Sequence, residues 1–174
     1  MVWAWFIVLL ATLPGLWVAD LLTDSLAGTN LVVFISGAAI VAPCRRLKRW
    51  QAVIFAACVG FLFEARRPIP LGTLPFLLAG LSIFLTSNRI LLRNTPLVLR
   101  GAVLCNTLAC TAWFTAAGLR AGAFAQGDLG EFTLQLLMQV GFAAAIALLV
   151  FVPLALIQDA AMDRTGLPPA LESP

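Results

Sequence analysis

The run Gln135-Leu-Leu-Met-Gln-Val-Gly-Phe-Ala-Ala-Ala-Ile-Ala-Leu-Leu-Val-Phe-Val-Pro-Leu-Ala-Leu-Ile157 decides the fold class. It carries no charged side chain, and a helix needs about 20 apolar residues to cross a hydrocarbon core roughly 30 Å thick. With its flanks, the stretch 131–158 reads as a membrane span. Working outward, five more apolar stretches precede it: spans 1 to 5 cover roughly residues 2–22, 26–43, 51–65, 73–88 and 96–118. Pro14-Gly15 is expected to kink span 1, whose Trp3, Trp5 and Trp17 suit the two membrane interfaces. Span 2 has an apolar part over 31–42 only, with Ser36 inside it, short for a full crossing as a helix. It is therefore tilted little, broken, or partly buried among other helices.

The totals agree with this patterning. Of 174 residues, 61% are hydrophobic and 11% charged, and mean hydropathy is +1.00. Soluble domains carry about 25% charged residues. Too few polar side chains remain here to cover a water-soluble globule. The expectation is an all-α integral membrane protein of about six transmembrane helices. One domain fills residues 1–158, and a short flexible cytoplasmic tail covers 159–174, with three acids and three prolines. Residues 1–22 lack a positive leader and exceed an apolar signal core, so they read as a retained span.

Charge asymmetry orients the chain. Arg45-Arg46-Leu47-Lys48-Arg49 is the densest basic cluster and goes to the cytoplasm. Six alternating spans then place both termini inside, together with Arg89, Arg93, Arg100 and Arg164. Only Arg66, Arg67 and Arg120 fall outside. The cluster marks topology first, and Arg45, Arg46, Lys48 and Arg49 are also candidate contacts for anionic lipid headgroups, at about 1 kcal/mol per basic residue.

Three polar constellations interrupt the apolar spans. At 1.5 Å per residue, Glu64 lies about 21 Å beyond Trp50, and Asp20 about 28 Å beyond Met1. Both reach the outer interface, where Asp20, Asp24, Glu64, Arg66 and Arg67 gather. They are either wetted helix ends, a polar seam that fixes helix packing or docks a partner, or an ion site; intramembrane charges usually pair or face protein. In span 5, Thr107, Thr111 and Thr115 share one face, flanked by Asn106. In span 6, Gln135 and Gln139 stand four apart. Such side chains bond across helices, with a ligand cavity or partner groove as the functional alternative.

Enzymatic chemistry has no foothold. Histidine is absent, and Cys44, Cys58, Cys105 and Cys110 form no Cys-x-x-Cys pair, so they read as packing residues rather than metal ligands. There is no Gly-x-Ser-x-Gly, no paired catalytic carboxylates and no phosphate-binding glycine loop. No cofactor, metal or nucleic acid is expected as a partner; the bilayer is.

The segment Gly60-Phe-Leu-Phe-Glu64-Ala-Arg-Arg-Pro-Ile-Pro70-Leu71-Gly72 ends a third span in a carboxylate and opens the fourth with proline and Leu-Gly. With six short spans and a last one over 135–157, it resembles the bacterial rod shape-determining membrane protein family MreD. The resemblance covers most of the chain in hydropathy and about 13 residues in motif. It implies a non-enzymatic subunit of the bacterial inner membrane that helps maintain cell shape and organise peptidoglycan synthesis. The implied partners are a MreC-like scaffold, the actin-like MreB and other elongation-complex proteins. That family also resembles the substrate-binding components of vitamin transporters, so the alternative expectation is a small-solute binding subunit with a cavity lined by Asn106 and Thr111.

Overall fold

The computed structural model describes residues 3–65, 67, 72–92, 95–120 and 129–167. Among these it is all-α. The helices are α1 (Ala4–Ser25), α2 (Ser36–Ala39), α3 (Val41–Arg46), α4 (Arg49–Glu64), α5 (Thr73–Ser87), α6 (Thr95–Arg120) and α7 (Leu129–Arg164), with 3₁₀ turns at Ala27–Thr29 and Arg89–Leu92. Three helices are long and apolar enough to cross a membrane: α1, α6 from Pro96, and α7. Helix α5 is apolar but shorter.

The burial pattern departs from that of a soluble protein, with apolar side chains outside as well as in the core. Trp3, Phe76, Leu137 and Leu149 are among many large apolar side chains facing outward, Phe76 being 86% exposed. Meanwhile Thr12, Ser36, Gln51, Glu64, Ser82, Asn106, Gln139 and Gln158 are buried. Apolar surface this extensive is costly against water and not against lipid, whereas polar groups in a lipid-facing protein must turn inward to find partners.

The second apolar stretch departs from a plain helical span. After Asn30, whose φ of 56° asparagine tolerates, residues 31–35 are irregular. Helices α2 and α3 follow, with the break at Ile40. Residues 33–44 are all buried, so the segment is both broken and enclosed by the other helices. It contacts α6, α7, α5 and α4. Val32 is tied to Gln139 in the first third of α7, and Arg46 to Asp159 and Asp163 near its C-terminal end.

Around this centre the remaining helices pack as two hairpins, α4 with α5 and α6 with α7, while α1 lies against both α7 and α4. One boundary needs correction. The tail expected to be flexible from Asp159 continues α7 to Arg164 and is described to Leu167. Arg46 holds it, as the ion pairs below explain. The rest of that tail, 168–174, lies outside the described residues.

Candidate functional site

An irregular segment without strand neighbours leaves its backbone N–H and C=O groups unpaired, which is costly in an apolar interior. Side chains from three long helices meet that demand. From α7, Gln139 accepts from the Val32 N–H through Oε1 at 3.0 Å and donates Nε2 to the Val32 carbonyl at 2.6 Å. From α1, Thr23 Oγ1 accepts from the Val33 N–H at 3.0 Å while donating to the Ala19 carbonyl. From α6, Asn106 donates Nδ2 to the carbonyls of Phe34 (2.6 Å) and Ala143 (2.9 Å), and its Oδ1 accepts from the Ala38 N–H at 3.2 Å. That N–H belongs to the first turn of α2, where no intrahelical acceptor exists.

The break itself follows from proline. Pro43 has no N–H to give the carbonyl four residues back, that of Ala39. Gln158 of α7 supplies the missing donor, Nε2 reaching the Ala39 carbonyl and Thr12 Oγ1 at 2.9 Å each. Gln158 Oε1 and Ser36 Oγ are buried with no hydrogen-bond partner among the described residues. Close approach completes the enclosure: a Cβ on Gly37 would lie 2.4 Å from the Cys105 carbonyl oxygen and 2.5 Å from Asn106 Cα, so only glycine fits between α2 and α6.

A second polar joint sits where α4 turns into α5. Glu64 is fully buried, and its two carboxylate oxygens accept from the N–H groups of Gly72 and Leu74 at 2.6 Å each. The charge thus caps the positive end of α5. Gly72 takes φ 121°, a conformation open to glycine. One turn earlier, a Cβ on Gly60 would meet the Pro75 backbone at 2.6 Å, so the two helices touch there. Beside this joint Arg67 pairs with Asp20 at 3.5 Å and lies over the Phe63 ring, 4.0 Å from its centre. The Trp113 ring, 5.5 Å from the guanidinium, and Phe34 complete an aromatic cluster. Burial pulls the Arg67 guanidinium below its ordinary pKa, and Asp20 opposes that shift.

At the other end, the basic cluster divides. Lys48 and Arg49 are exposed and Arg45 is half-buried. Arg46 does not face lipid headgroups: it is buried, pairs with Asp163 at 2.7 Å and Asp159 at 3.7 Å, and donates to the Leu167 carbonyl at 2.7 Å. Arg89 donates to the Leu47 carbonyl, tying the second 3₁₀ turn to the same end.

The polar seam expected around Glu64 is thus resolved into two pairs of interactions: Glu64 with Gly72 and Leu74, and Asp20 with Arg67. Asp24 is exposed at the end of α1. Arg66, Pro70 and Leu71 lie outside the described residues. The threonine stripe separates from Asn106. Thr107 and Thr111 donate to carbonyls of their own helix, Val103 and Thr107, and Thr115 is half-buried. Gln139 enters the core while Gln135 is half-buried. Thr12, Thr23 and Gln158 were not singled out from the sequence. A signal existed in Pro43, which frees one carbonyl inside an apolar run and so calls for a donor elsewhere.

Chemically, the arrangement holds backbone rather than presenting reactive groups. Among the described residues no three metal-binding side chains come together, and Cys44, Cys58, Cys105 and Cys110 are free. No family model matches this chain, and no curated protein and no solved structure is significantly similar to it.

Proposed function

We propose that the chain is a non-enzymatic, multi-pass subunit of the bacterial cytoplasmic membrane that acts through contacts with other membrane proteins of the cell-elongation machinery, in the manner of the MreD family. The observation that carries this reading is the joint formed by Gly60, Glu64 and Gly72. Of the five positions that carry the match (Gly60, Glu64, Pro70, Leu71 and Gly72) these are the described ones, and they close the α4–α5 turn with both carboxylate oxygens spent on backbone. A carboxylate so engaged fits a part built to hold shape for a partner. The outward apolar surface fits a protein contacted from within the bilayer. Both termini are placed on the cytoplasmic side, with Lys48 and Arg49.

Asn106 weighs against the solute-binding alternative. Its amide is fully enclosed and bonded to three backbone groups, so it lines no cavity. Depletion in a rod-shaped bacterial host without a paralogue tests the proposal. Cells should round, and the chain should co-purify with a MreC-like scaffold; persistent rods would sink it. Reporter fusions at each terminus test the orientation separately.

A further inference from the structure

The α4–α5 hairpin is closed at one end by Glu64 and Gly72 and is open at the other. Its arms are nearly equal, 16 and 15 residues, so the start of α4 and the end of α5 lie level. Lys48 and Arg49 stand at that start, and Arg89 follows that end. Arg89 donates to the Leu47 carbonyl, which draws the two together. Arg45 lies on α3, two residues before Leu47. The hairpin thus gathers cations from separate stretches of sequence at its open end.

Protein carboxylates do not balance them. Asp159 and Asp163 pair with Arg46. Among the described residues no carboxylate is in ion-pair contact with Arg45, Lys48, Arg49 or Arg89. Lys48 and Arg49 also meet the positive end of the α4 dipole, and no acid stands in its first turn. The Nε–H groups of Arg45 and Arg89 are covered and find no acceptor among the described residues. That cost is relieved when a guanidinium turns toward an outside oxyanion. The surroundings select the anion. Trp50, exposed beside Arg49, has the amphipathic ring that suits headgroup level. One turn in from the same end, Ile54 on α4 and Ile83 and Phe84 on α5 are exposed. Cations above an apolar face complement a phospholipid of net negative charge, whereas an acidic protein segment would meet the cations alone.

We infer that the open end of the α4–α5 hairpin binds an anionic phospholipid of the phosphatidylglycerol type. Its phosphate lies among Lys48, Arg49 and Arg89, with Arg45 at the edge, and its acyl chains run along Ile54, Ile83 and Phe84. The inference rests on the membrane reading above and is independent of any role in cell elongation. It also replaces Arg46 by Arg89 among the lipid contacts expected of the basic cluster.

The full chain is reconstituted in nanodiscs of equal phosphatidylcholine and phosphatidylglycerol, and retained lipid is read by native mass spectrometry. Phosphatidylglycerol should be kept in preference. Lys48→Gln together with Arg49→Gln, both at exposed side chains, should lower that preference about 25-fold, and Arg89→Gln alone about fivefold, at the usual worth of an interfacial cation. Arg120→Gln is the control: it removes the same charge from the far end of α6, whose start adjoins Arg89, and should change nothing. Equal retention of the two lipids, a preference untouched by the Lys48 and Arg49 changes, or an equal loss with Arg120→Gln overturns the site. Resistance to alkaline carbonate extraction is scored first on the same membranes. A chain that fails it takes down the membrane reading, and one that passes but shows no preference takes down the site alone.

Discussion

Replacing Asn106 by leucine, nearly its equal in volume, asks how much the central segment depends on borrowed hydrogen bonds. The Ala143 carbonyl lies within α7, but the Ala38 N–H and the Phe34 carbonyl would lose their partner at full burial. An unmet buried polar group costs about 1–3 kcal/mol, so Asn106→Leu should cost about 2–6 kcal/mol. Side-chain bonds between membrane helices average only about 0.6 kcal/mol, because the unfolded chain finds substitutes. The two arguments therefore predict different magnitudes. Reversible unfolding in mixed micelles of increasing detergent denaturant, followed by circular dichroism, measures the difference. Thr111→Val is the control: that hydroxyl bonds only to its own helix, at the Thr107 carbonyl, and the change should fall within about 0.5 kcal/mol. An Asn106→Leu protein within about 0.6 kcal/mol of the parent refutes the claim that the broken segment is held by side-chain donors.

Other substitutions probe the same architecture. Gln158→Leu should destabilise by about 1–3 kcal/mol, and Pro43→Ala, which restores an N–H for the Ala39 carbonyl, should recover part of that loss in a double-mutant cycle. Additive effects would mean that Pro43 and Gln158 do not serve the same carbonyl. Gly37→Ala should cost about 3 kcal/mol through backbone overlap, whereas Gly141→Ala, with nothing within 4 Å of the new Cβ, should gain up to about 1 kcal/mol from helix propensity; thermal unfolding in detergent ranks the pair. Glu64→Gln turns an amide donor toward a backbone N–H and should cost about 1.5–3 kcal/mol, with faster amide exchange at Gly72 and Leu74. Arg46→Gln should release residues 159–167 to limited proteolysis, and an unchanged digestion pattern would deny the clamp.

The long helices were legible because lipid imposes one rule on every residue of a span. Hydropathy alone placed α1 and α6 within about three residues at each end and the start of α7 within two, but it ended α7 six residues early. Glu64 and Gly72 were singled out together only through the motif that resembles the MreD family; the bond between them was not legible. The central segment was harder. Apolar residues 31–42 look alike whether extended or helical, since no solvent-facing side alternates with a buried one. What betrays it is distributed: a proline at 43, and single amides at 106, 139 and 158 whose partners lie far along the chain. Arg46 was misassigned because a basic run carries no sign of which member turns inward. That choice is made by Asp159 and Asp163, read at first as part of a tail.

The enclosed segment also sets an order of assembly. Its partners lie 68, 107 and 119 residues downstream, at Asn106, Gln139 and Gln158. A chain made from its N-terminus delivers residues 31–46 long before α6 and α7 exist to receive them. Until then the irregular stretch has its Val33 N–H met by Thr23 of α1, while the groups that await α6 and α7 are left to water or the insertion machinery. Closure comes late, when nascent α7 arrives and the last amide at 158 engages. Shortened chains ending before α7 are therefore expected to be quality-control substrates, and the slow step in maturation is the capture of an early segment by a late one.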